Sequence, residues 1–162
     1  MNDIFLNSKL KLYYMKDFEK LLQDERDFWK IDNEFLKEIL KEINSNSKVQ
    51  TLYSKYGEQK LLGSESYLQF AFSKDVQDKI FRLLIPNLLF TYNYDFKSYC
   101  YYEYREPSKN NNYKLEREKF GFNCVDDENY FMINSIKIYL KTRDNIIKEK
   151  FWKDLEKMLK EL

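Results

Sequence analysis

The sequence predicts an α+β fold: a twisted antiparallel β-meander of about four to five strands, packed against N-terminal helices and a long C-terminal amphipathic helix. Three observations predict it. Phe90, Tyr92, Tyr94, Phe96, Cys100, Tyr102 and Tyr104 share one parity, and side chains of a strand alternate between faces, so this segment reads as a long bent strand or a tight hairpin near Asp95 to Ser98. Two further runs, about Tyr113–Val125 and Tyr130–Lys141, continue the strand pattern. Near the C-terminus, Ile147, Phe151, Trp152, Leu155, Met158, Leu159 and Leu162 line one side of a helix, and a sheet with one face to bury needs such a cover.

The elements follow in order. Tyr14, Phe18, Leu21, Leu22, Phe28 and Trp29 suit a helix from about Ser8 to Trp29, with a short strand through Leu10, Leu12 and Tyr14 as the rival. Asp32 or Asn33 caps a second helix whose stripe is Phe35, Leu36, Ile39, Leu40 and Ile43, stopped by Asn44-Ser45-Asn46-Ser47. Lys48–Tyr56 fits helix or strand, and Ser64–Phe72 fits a strand. Ser73 opens a helix through Val76, Ile80, Phe81, Leu83 and Leu84, halted before Pro86 because the residue before proline avoids helical geometry.

After the aromatic segment, Pro107–Asn112 is a loop and Asp126–Asn129 a turn. The apolar parity flips within Tyr113–Val125, which predicts a bulge near Gly121. A hairpin at Pro107–Asn112 would set Cys100 opposite roughly residue 119, so a disulfide to Cys124 is not expected. Asp144 or Asn145 caps the last helix, whose outer side carries Glu149/Lys153 and Glu156/Lys160 pairs. The chain of 162 residues is expected to form a single domain, residues 1–162.

Composition excludes more than it assigns. Lys+Arg 28 against Asp+Glu 27 leaves a net charge of +1, so the basic excess of a phosphate-gripping protein is missing. The chain has no histidine, which removes Ser-His-Asp and Cys-His nucleophile systems and His-ligated metals. Its three glycines form no phosphate-binding loop. No cofactor is expected. The lack of a long apolar run excludes a helical membrane span, and Met1–Leu6 has no basic leader before an apolar stretch, so cytoplasmic residence is expected.

The remaining chemical signals are sparse. Asp95-Phe96-Lys97, with Asp75 upstream, has the D-x-K spacing of Mg²⁺-dependent nucleases, though in so charged a chain a solvated strand face explains it as well. Asp24–Asp27 and Asp126–Glu128 are acidic patches with the same ordinary explanation. Lys119-Phe120-Gly121-Phe122 departs from the aromatic RNA-stacking strand of an RRM at several positions and carries no assignment.

The densest patch is Tyr99, Tyr101, Tyr102 and Tyr104 beside Arg105. Burial of both faces between helices would account for it; so would an exposed surface of the residue types enriched at binding hot spots. Tyr99, Tyr101, Tyr104 and Arg105 are the candidate binding residues. The sequence thus predicts a non-enzymatic protein-binding module, such as a small inhibitor, immunity-type or adaptor protein of a bacterium or phage. A nucleic-acid-associated protein, either a single-strand binder or a metal-dependent nuclease fragment, is the alternative.

Overall fold

The computed structural model describes residues 5–26, 30–57, 65–93, 96–105 and 133–162. Helix α1 (Ser8–Leu22) starts where the Asn7 side chain accepts the Leu10 amide at 2.9 Å. Leu10 and Tyr14 are buried four residues apart while Leu12 is exposed, which settles helix over strand. The helix predicted to reach Trp29 ends at Leu22. Just beyond it, the Asp24 carboxylate accepts the Arg26 amide at 3.0 Å and its guanidinium at 2.7 Å, local bonds that compete with continued helix. Helix α2 (Glu34–Asn44) carries the predicted cap, with the Leu36 amide donating to Asn33 Oδ1 at 3.1 Å.

Four strands follow: β1 (Val49–Lys55), β2 (Ser66–Phe72), β3 (Ser98–Arg105) and β4 (Ser135–Thr142). They form one sheet in the order β1-β2-β4-β3, antiparallel throughout. The segment expected as helix or strand over 48–56 therefore resolves as strand over Val49–Lys55, with a bulge between Thr51 and Tyr53. Cys100 pairs with Leu140, and the residue expected opposite it, near 119, lies outside the described residues. The sheet takes β3 directly onto β4, matching Tyr101 to Tyr139 and Glu103 to Lys137 across the ladder. The strand and bulge expected over 113–125, the loop at 107–112, the turn at 126–129 and Cys124 lie outside the described residues.

Between β2 and β3 the chain corrects two expectations. A 3₁₀ turn (Lys74–Val76), a short α3 (Gln77–Lys79), a π-helical turn (Ile80–Leu84) and α4 (Ile85–Tyr92) run on continuously. Ser73 makes no side-chain cap bond; its hydroxyl turns to the Asp75 carboxylate instead. Pro86 does not halt the helix. The Ile85 amide reaches back five residues to the Ile80 carbonyl, and this wide turn brings Pro86 into the first turn of α4, where a missing N–H is tolerated.

Phe90 and Tyr92 consequently lie on a helix, not a strand: Leu88 and Tyr92 are buried and Phe90 is 77% exposed. Tyr94 and Asp95 lie outside the described residues. Asn93 joins helix to strand, its Nδ2 donating to Leu89 O at 2.8 Å and Cys100 O at 2.9 Å while its Oδ1 accepts the Cys100 amide at 2.9 Å.

Helix α5 (Asn145–Lys160) is capped by Asp144 as expected. It lies with α2 and the composite helix over the sheet face formed by Leu68, Phe70, Phe72, Cys100, Ile136, Ile138 and Leu140. Trp152 and Phe151 are fully buried there, and Trp152 stacks on Tyr56 at 6.3 Å. Lys160 meets Glu42 of α2 at 2.6 Å, so its ion pair is between helices rather than with Glu156. Lys148, also fully buried, donates to the Gly57 carbonyl and lies over the Tyr56 ring. On the other face α1 packs over the β1 side, where Leu6, Leu10 and Tyr14 meet Leu52, Ala71 and Ile133.

Candidate binding surface

The part of that second face formed by β3 and β4 is the tyrosine surface. Strand pairing sets Tyr67 opposite Tyr139 and Tyr139 opposite Tyr101, one aromatic row across three strands. Tyr101 and Tyr139 stack at 4.5 Å with ring planes 7° apart, and Tyr99 adds to the row at 5.3 Å from Tyr101, within the range in which aromatic pairs attract beyond simple burial. Lys137 lies 4.2 Å from the Tyr67 ring centroid and 5.0 Å from that of Tyr139, close enough for cation–π attraction.

The hydroxyls are tied down. Tyr101 donates to Glu65 Oε2 at 2.8 Å, and Lys141 approaches the same carboxylate at 3.7 Å. Burial, then the Glu65 hydrogen bond, pushes the Tyr101 hydroxyl well above its ordinary value. Burial, followed by the bond to Glu103, does the same for Tyr139. Both phenols stay neutral at physiological pH and act as donors. The buried Cys100 thiol is pushed up to about 12 by desolvation, so it is not a nucleophile at neutral pH.

The four candidate binding residues divide. Tyr99 is 56% exposed and Tyr101 is half-buried on the same face. Arg105 shares that face but is 7% exposed, with its guanidinium 3.4 Å from Glu103. Tyr104 is on the opposite face, against Phe81 at 5.1 Å and Phe72 at 6.4 Å. Tyr102 follows Tyr104, at the edge of the helix-covered face.

At the end of the row, beside Tyr99, an open groove of about 1100 Å³ brings in residues that sequence reasoning missed. Phe96 is fully exposed and Ile146, in the first turn of α5, is 81% exposed; with Tyr99 they supply its apolar lining. Among the described residues Lys97, Lys141 and Arg143 are its cations, and Asp144 its carboxylate. Phe96 has φ 65°, a left-handed conformation unusual for a bulky residue. The chain enters β3 from this turn, held where the Thr142 hydroxyl donates to the Lys97 carbonyl at 2.9 Å.

Among the described residues no three carboxylate or thiol side chains gather to hold a metal ion. Asp95, half of the D-x-K pattern, is outside them, and Lys97 lines the groove. Among the same residues no helix is long and apolar enough to cross a membrane. Comparisons with protein-family models, curated proteins and solved structures found no match.

Proposed function

We propose that the chain is a non-enzymatic protein-binding module, of the small inhibitor, immunity-type or adaptor kind, that engages a protein partner where the tyrosine face meets the groove. One observation carries the reading: Phe96 and Tyr99, at the entry to β3, and Ile146, far away in sequence at the start of α5, expose their apolar surface together in one groove. Clustered apolar surface with a polar rim is what protein interaction sites expose. Tyrosine offers a large, stiff contact at small entropic cost, which favours Tyr99 as the anchor. Tyr101, Tyr139 and Glu65 then act as its support.

The test is affinity capture from cell lysate, with and without nuclease, using wild type, Tyr99→Ala and a control at Leu12, which is exposed on α1. The expected result is a stoichiometric protein that survives nuclease treatment, is retained by Leu12→Ala, and loses more than about 1 kcal/mol of binding with Tyr99→Ala. Equal capture by all three proteins would remove this surface from the reading.

A second reading has its own support. Two exposed aromatics beside Lys97, Lys141 and Arg143 have the residue types on which single-stranded nucleic acid stacks. It predicts capture that disappears with nuclease and weakens steeply with salt.

A further inference from the structure

We infer that the groove receives an acidic segment of the protein partner, with an apolar side chain seated among Phe96, Tyr99 and Ile146 and carboxylates facing Lys141 and Arg143. The inference rests on the protein-binding reading and adds the chemistry of the partner.

Charge comes first. Among the described residues the charged side chains lining the groove are Lys97, Lys141, Arg143 and Asp144, and Asp144 Oδ1 accepts the amides of Ile146 at 2.8 Å and Ile147 at 3.3 Å. Lys141 and Arg143 put positive charge beside the groove, on a chain whose net charge is only +1. Arg143 makes no ion pair among the described residues. Lys141 is 59% exposed and has Glu65 only at 3.7 Å, a contact an incoming carboxylate can replace.

Shape comes second. Ile146 is a branched aliphatic side chain at 81% exposure in the first turn of α5, and folding gains nothing from it there. An aliphatic side chain in the groove suits an apolar residue better than the flat face of a base, for which successive aromatics are the usual platform. Phe96 points the same way. A residue with φ 65° and a fully exposed ring gives no packing energy to the folded chain, and glycine would hold that backbone more readily. A bulky side chain kept in such a conformation is a mark of function.

The test is selection of short peptides from a random displayed library on the immobilised full-length protein, followed by affinity measurements on wild type, Arg143→Glu and Phe96→Gly. The expected peptides combine Asp or Glu with Leu, Ile or Phe, and both variants weaken them by at least about tenfold. Phe96→Gly keeps a melting temperature at or above that of wild type, which separates lost binding from lost fold. Basic or neutral peptides, no enrichment over the same selection on Arg143→Glu, or tighter binding of an oligothymidylate than of any selected peptide would overturn the inference. If the captured partner depends on Tyr99 yet ignores Arg143→Glu and Phe96→Gly, the protein-binding reading stands and the acidic segment falls. If no partner is captured at all, both fall.

Discussion

Lys11 shows how one side chain ties the N-terminal helix to the rest. From α1 its Nζ donates to the Asn44 carbonyl at 2.9 Å and the Val49 carbonyl at 2.5 Å, at the end of α2 and the start of β1. Desolvation pushes its pKa from 10.5 down to about 8. Between those values the unfolded chain holds a proton that the folded chain has released, so stability from this group rises with pH from about 8 to 10.5. Wild type should therefore gain stability relative to Lys11→Met across that window, measured by urea unfolding at several pH values. Cys100 works in the opposite sense. Its pKa is raised from 9.0 to about 12, so its contribution is complete below pH 9 and is lost as pH climbs toward 12. The neighbouring phenol Tyr101 offers a milder test. Tyr101→Phe keeps the stacking on Tyr139 and removes the bond to Glu65, at an expected cost of about 1 kcal/mol.

At the scale of elements, short polar side chains decide where helices begin and how they hand the chain on. Asn33→Ala should cost about 1 kcal/mol, because the cap oxygen that accepts the Leu36 amide is lost. Asn44→Ala should cost more, about 2 kcal/mol, since its side chain both accepts the Thr51 amide and donates to the Thr51 hydroxyl in a buried setting. Denaturant titration of each variant checks the order. The caps at Asn33 and Asp144 were legible in sequence, because capping is local and uses few residue types. The end of α4 was not. Leu88 and Tyr92 are four residues apart, a spacing that fits both a helix face and one side of a strand. With Phe90 between them the pattern read as strand. Pro86 reinforced the error, since only the π turn before it lets the helix continue.

For the whole molecule, the main core draws on all four strands and on the helices laid over them. Trp152 is at its centre, fully buried between Tyr56 and Phe151. Trp152→Ala should cost about 3–5 kcal/mol. That is a large part of the roughly 5–15 kcal/mol that holds a typical domain folded, and a melting temperature reduced by about 6–20 °C is expected by circular dichroism. The surface variant Phe96→Gly should leave the melting temperature unchanged or raised, since that side chain is fully exposed, whereas Tyr99→Ala loses the ring contact with Tyr101 at 5.3 Å and should cost about 0.5–1.5 kcal/mol.

The sequence by itself determined the α+β class, the caps at Asn33 and Asp144 and the amphipathic cover at the C-terminus. Each depends on periodicity or capping, which are properties of neighbouring residues. It grouped Tyr104 with Tyr99, Tyr101 and Arg105, from which the structure separates it. Tertiary structure alone decided that β4 lies between β2 and β3, so that Tyr67, Tyr139 and Tyr101 form one row. It also decided that Phe96, Tyr99, Arg143 and Ile146 share a groove. Both depend on which strands pair and on what is left uncovered, and burial is a property of the assembled chain. An exposed phenylalanine and a core phenylalanine are the same letter until their neighbours arrive.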